Sequence, residues 1–144
     1  MAAYEQRDYD KVASFYTDES TFQDLAYASI QEINGVKGEE GASCAAVPKG
    51  QAAIKEKLKK SMAEVKDIKF ATKSKFYVGR FAVHTLTVTA TIPLKDLPDM
   101  TANVDMVLVL EIKNNKVVNH FSLTDIETVS RLMAQHQRTY TATN

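Results

Sequence analysis

The apolar residues of this chain repeat with two periods, and the change between them separates helices from strands. From Gly50 to Val65 the pattern is helical. Ile54, Leu58, Met62 and Val65 follow at spacings of four, four and three, and lysines fill the opposite side. A shorter helical stripe, Val12, Phe15 and Tyr16, begins at Asp8, whose carboxylate suits an N-cap. A third helix follows Asp125, with Ile126, Val129, Leu132 and Met133 on its inner side. Residues 138–144 then read as a flexible tail.

Between the Gly50 helix and Asp125 the period falls to two. Ile68, Phe70, Thr72, Ser74, Phe76 and Val78 alternate with Lys69, Ala71, Lys73, Lys75 and Tyr77. This predicts a strand with Phe76 inward and Tyr77 outward. After a Gly79–Arg80 turn, His84, Leu86, Val88, Ala90 and Ile92 alternate with threonines from Thr85 to Thr91. Such a ladder suits a sheet face that meets water or another subunit. Val104, Met106, Leu108, Leu110 and Ile112 mark a third long strand, with Asp105 and Glu111 opposite. Asn114–Asn115 predicts a tight hairpin returning as Val117–Thr124. A short strand is expected at Thr21–Leu25. Residues 28–49, with Pro48 and most of the glycines, read as an irregular excursion.

Helices gathered on one side of an antiparallel sheet make an α+β fold. The expected organisation is one domain over residues 1–137. Composition changes this picture little. With 18 basic and 18 acidic residues the formal net charge is zero, so no global field favours nucleic acid. The cluster Lys55, Lys57, Lys59 and Lys60 reads as the wet face of its helix. Cys44 is alone and supplies no disulfide. No apolar run approaches the ~18 residues of a membrane span. The expectation is a soluble cytoplasmic domain, or a mature exported segment whose signal was removed. No Gly-rich phosphate loop follows a strand and no H-E-x-x-H or Cys/His cluster occurs, so neither cofactor nor metal is expected.

Candidate chemistry begins at TFQDLAY. Phe22 and Asp24 share strand parity, so an inward Phe22 turns Asp24 inward too. A carboxyl group in apolar surroundings serves either as a general base or as a structural acid bonded to backbone or a tyrosine. His84 shares the apolar face of its strand and is either a rim histidine or a pocket group. Tyr16 and Tyr27 are candidate pocket hydroxyls.

The order of elements and three motifs, DYDKVASFYTDESTFQD, GQAAIKEKL and NKVVNHFSLTDIETVSRLMAQ, resemble the nuclear transport factor 2-like superfamily. Within it the chain is most similar to the SnoaL-like polyketide cyclases and ketosteroid isomerases. The resemblance implies a cone: four long curved antiparallel strands plus a short one, packed on about three helices around a pocket. It places Asp24 at the isomerase base. Leu108 stands at the neutral-acid position, where it cannot donate, and the short N-terminus removes the position of the oxyanion tyrosine. His120, Ser122 and Thr124 turn inward by this comparison, whereas hydrophobicity favours Val117, Phe121 and Leu123. A bulge would reconcile the two. Asp125 resembles the SnoaL-like acid/base aspartate, or it simply caps the helix after it. An epoxide hydrolase of the limonene type would need an arginine between aspartates, and Arg80 lies in a turn. The implied function is binding of a small apolar molecule, with cofactor-independent proton transfer on a carbonyl by Asp24 with His84 or His120. The alternative is a non-catalytic ligand-binding or dimerisation module. A homodimer through the threonine face is expected.

Overall fold

The structure, a computed structural model, describes residues 1–24, 47–94 and 97–143, with backbone alone at 126 and 141–143. The described elements are, in order, α1 (Ala2–Glu5), α2 (Tyr9–Ala13), β1 (Tyr16–Asp24), α3 (Gln51–Ala63), β2 (Asp67–Val78), β3 (Phe81–Ile92), β4 (Met100–Lys113), β5 (Lys116–Thr124) and α4 (Ile126–Thr143). The strands form one curved, unclosed sheet in the order β1-β5-β4-β3-β2. Strands β2 to β5 are an antiparallel meander, whereas β1 joins the edge parallel to β5. The sheet is therefore mixed, not wholly antiparallel.

The expected α3 stripe holds: Ile54, Leu58 and Met62 are buried. Its start is fixed by Gly50, which has φ +88° and on which a Cβ would lie 3.1 Å from the Asp18 carbonyl oxygen. Only glycine meets both conditions without strain. Asn114 and Asn115 are both left-handed, with φ 51° and 60°, which a two-residue hairpin of type I′ requires. Asp8 caps α2 by accepting from the Lys11 amide. That helix ends at Ala13, however, and Tyr16 already begins β1. Phe15, expected on the inner stripe, is 51% exposed. At the other end, α4 runs on to Thr143, through the residues expected to form a tail. Most of the expected 28–49 excursion lies outside the described residues.

Two slips in pairing decide which side chains face inward. In β2 the register shifts between Thr72 and Ser74, so Phe76 pairs with Val83 on the outer face and Tyr77 with Ala82 on the inner. Alternation carried unbroken through Lys73 predicts the reverse. Phe76 is therefore no pocket residue, and it is 49% exposed. In β5 the partner of Ile112 is Val117 and that of Glu111 is Asn119, leaving Val118 as the extra residue. This bulge keeps Val117 inward and still turns His120, Ser122 and Thr124 inward, with Phe121 and Leu123 outside.

The core lies between the concave sheet face and the helices, in two groups. Val88, Ala90, Ile92, Met100, Ala102 and Val104 pack with Val129 of α4. Val12, Tyr16, Phe22, Ile54 and Leu58 form the other. No helix among the described residues is long and apolar enough to cross a membrane.

Leu58→Ala, at a fully buried site, should lower unfolding free energy by about 2–5 kcal/mol in urea titrations. Phe15→Ala should cost under about 1 kcal/mol. An equal loss from the two would return Phe15 to the core.

Candidate functional site

The parallel pairing of β1 and β5 builds the site. Phe22 pairs with His120 and Asp24 with Ser122, so the four side chains form a square on the concave face. They open into a cavity of about 120 Å³ whose remaining walls are mostly apolar: Met62 and Val65 after α3, Phe70, and Val88, Val104 and Leu108 of the sheet. Of the residues expected to line a pocket, Phe22, Asp24, Leu108, His120 and Ser122 do so together. Tyr27 lies outside the described residues.

Asp24 is half-buried, and its Oδ1 accepts from the Ser122 hydroxyl at 2.9 Å. Beside it, the Tyr16 hydroxyl lies 2.6 Å from His120 Nδ1. Burial holds the His120 imidazole neutral, down to about 3. Burial and then the Asp24 charge push the Tyr16 hydroxyl up. A neutral imidazole facing a protonated phenol accepts at Nδ1, which leaves its own proton on Nε2. The ring lies 4.2 Å from Phe22, centroid to centroid, and 6.0 Å from Tyr16, so its orientation is fixed on two sides. The result is an oriented neutral N–H donor in the wall that Asp24 shares.

Sequence reasoning missed Tyr4. It lines the cavity from α1 and packs edge-on against Phe70, with ring centroids 5.4 Å apart. Burial, then the Asp24 charge, raises its hydroxyl well above the ordinary tyrosine value, so it stays a donor. A four-residue helix has no period to read, and only the chemistry of a lone N-terminal tyrosine was available as a signal. The N-terminus thus brings a cavity tyrosine where the family comparison expected none. The helix is held there because the Glu5 carboxylate accepts from the Phe70 amide at 2.7 Å. Arg7 also donates to the carbonyls of Val65 and Lys66.

Three expected site residues stand apart. His84 faces inward opposite Leu108 but does not line the Asp24 cavity or the one next to it. Burial, then the neighbouring Lys75 charge, lowers its pKa. Asp125 is exposed and caps α4, accepting from the amides of Glu127 and Thr128 and from the Thr128 hydroxyl at 2.6 Å. These bonds, the Thr128 hydroxyl's first, lower its pKa. The cap accounts for it, and it does not line the Asp24 cavity. Tyr16 does not line the Asp24 cavity but packs behind it, against Phe22 and His120; its own cavity is a second one. Arg80 pairs with Glu111 on the outer face. Among the described residues, no three His, Cys, Asp or Glu side chains come together as a metal site.

No protein-family model matches the chain. No curated protein matches it either. Solved structures do. A protein of Shewanella putrefaciens described as a SnoaL-like polyketide cyclase shares 20% identity at a TM-score of 0.72, over 94% of this chain and 90% of that one. This chain has the nuclear transport factor 2-like fold. A Catenulispora acidiphila protein with a ketosteroid isomerase-like fold, in complex with trimethylamine, matches at 13% identity and TM-score 0.70, over 94% and 87% of the two chains. An M. tuberculosis protein similar to limonene epoxide hydrolase matches at 10% and 0.68, over 99% and 90%. At these identities the likeness is one of fold.

The His120 pKa sets a pH dependence. Its folded value lies below the unfolded value of about 6.5, so the unfolded chain takes up the proton first. Stability is complete above about pH 6.5 and should fall as pH drops from there towards 3. His120 itself should remain neutral by NMR throughout that range while the protein stays folded. Tyr16→Phe should cost about 1–3 kcal/mol by stranding Nδ1, and should move part of the imidazole proton there in ¹⁵N spectra. An unchanged tautomer would sink the assignment.

Proposed function

We propose that this domain binds a small apolar carbonyl compound and transfers a proton on it without a cofactor, by isomerisation, cyclisation or dehydration. One observation carries the reading: a carboxylate, oriented by a serine hydroxyl, opens into a cavity that is otherwise nearly apolar. A carboxylate there can remove a proton α to a carbonyl, provided that the oxygen's growing charge meets donors. His120 Nε2–H and the Tyr4 hydroxyl are the neutral donors on the same cavity wall. Because both stay protonated near neutral pH, they can stabilise an enolate without first exchanging protons with water. The enolate then recovers a proton from Asp24 at another carbon, or expels a leaving group. The fold shared with a polyketide cyclase-like protein is compatible with this chemistry and does not select the reaction. Binding without turnover is the second reading, and the same assay separates the two.

Cyclohexanone, small enough for such a cavity, is a suitable probe in deuterium oxide. The protein should accelerate deuterium uptake at the α-carbon, and Asp24→Asn should reduce that acceleration by about 10²–10⁴-fold. Undiminished exchange in Asp24→Asn would remove Asp24 as base. Binding with no exchange in the wild type would leave a passive binding module.

We also infer that two copies associate through the outer sheet face. The contact would centre on apolar residues and not on the threonine ladder, whose hydroxyls are already engaged across strands with Asn103, Thr101 and Asp105. Phe76, Val83, Val109 and Phe121 stand in register as one row across β2 to β5. Val107 and Leu123, 38% and 40% exposed, widen it. The row is framed on one side by the chain Arg80–Glu111–Asn119–Thr21 and on the other by Lys73–Asp105. A twofold axis through the row would pack it on itself inside a polar rim. Light scattering at micromolar concentration should give a dimer, and Val109→Asp a monomer. A monomeric wild type would refute this.

A further inference from the structure

A second cavity, of about 340 Å³, lies beyond Tyr4 and His120 from the Asp24 site, between α1, the end of α2 and the β4–β5 hairpin. Tyr4, Leu108 and His120 belong to the walls of both cavities. We propose that this cavity holds the tail of the ligand whose carbonyl head lies at Asp24, and that the tail is apolar and ends in a carboxylate. The proposal rests on the proton-transfer reading for the nature of the head only.

Size is the first argument. A cavity of about 120 Å³ is of the order that holds a single small ring, while sites for larger metabolites span roughly 300–1,000 Å³. The Asp24 cavity alone is too small for such a ligand, and the neighbouring one supplies the missing volume. The lining is the second argument. Val12, Leu110 and Val117 line the second cavity, and the polar pair in its wall, Tyr16 and His120, is bonded to itself. The Tyr16 hydroxyl and His120 Nδ1 therefore ask nothing polar of a ligand tail. At the rim stand Phe15 and Ile112, 51% and 36% exposed, which an apolar chain would cover.

Charge is the third argument. Among the described residues, Lys116 is the cationic side chain in this lining, which also includes Met1, and it is exposed. Its ammonium donates to the Ser14 carbonyl at 2.6 Å, which anchors it beside the rim. An ammonium has three N–H groups, so a ligand carboxylate can be received without breaking that bond. Asn115 adjoins it in the lining. An anion is thereby favoured at the rim and disfavoured at the far end, where Asp24 stands.

The chain contains no tryptophan, so Phe15→Trp introduces a unique fluorescent reporter at the rim. Octanoate, butanoate and 1-octanol are the probes. Octanoate should change the reporter's emission saturably and bind at least about tenfold more tightly than butanoate, since roughly four more methylenes are buried. Lys116→Met, which keeps the aliphatic stem, should weaken octanoate about three- to tenfold and leave 1-octanol unchanged. Leu110→Phe, checked for folding by thermal melting, should weaken both. A silent reporter, equal affinity for octanoate and butanoate, or indifference to Lys116→Met would overturn the proposal. Octanoate binding and deuterium exchange on cyclohexanone are read in separate experiments. A reporter that responds while deuterium exchange fails therefore overturns only the proton-transfer reading, and the opposite outcome overturns only this one.

Discussion

The whole site depends on one extra residue. Val118 breaks the β4–β5 register, and without it an inward Val117 would force His120 and Ser122 to the outer face, because strand parity is strict. The sheet needs Val117 inside, where it packs with the group around Phe22 and Leu58. The site needs an imidazole and a hydroxyl inside. Both demands are met by placing the irregularity between them. The bulge lies near the hairpin end of β5, so the six residues after it still pair regularly with β4 and hold the site's side chains on a rigid ladder.

Among the described residues, electrostatics in the cavity is organised around one acidic group, Asp24. The Asp24 charge acts on two tyrosines through low-dielectric surroundings and raises the hydroxyl pKa of both, reinforcing the larger effect of burial. Burial also keeps His120 neutral. The groups around Asp24 are therefore donors that do not ionise near neutral pH. Ser122 satisfies one oxygen with a neutral bond, and neutral bonds orient a carboxylate while leaving it basic.

How far the sequence revealed this follows from where the periods are clean. The α3 stripe, the Asn114–Asn115 hairpin and the β3 and β4 alternations are regular, and each was legible. Phe22 and Asp24 could be placed together because strand parity needs only two residues. Phe76 and Tyr77 were misassigned because Lys73, the bulged residue, looks like any other alternating lysine. No composition marks a bulge whose cause is the pairing of two strands. Tyr16 was assigned to a helical stripe, and its pairing with Val117 places it at the start of β1 instead. Tyr4 was invisible because its helix is too short to repeat, and its position comes from Glu5 and Arg7 bonding to distant backbone.

The parallel pairing of β1 with β5 carries a consequence for how the molecule comes into being. The hydrogen bond between Ser122 and Asp24 joins positions 98 apart. On the ribosome, β1 emerges well before the strand it must join, which follows about a hundred residues later. The meander β2 to β5 can zip progressively by local hairpins, but β1 has to wait. A nascent chain arrested before β5 would hold Asp24 without Ser122, His120 or the strand edge beside it. Competence would then arrive in one late step, as the first strand closes on the last.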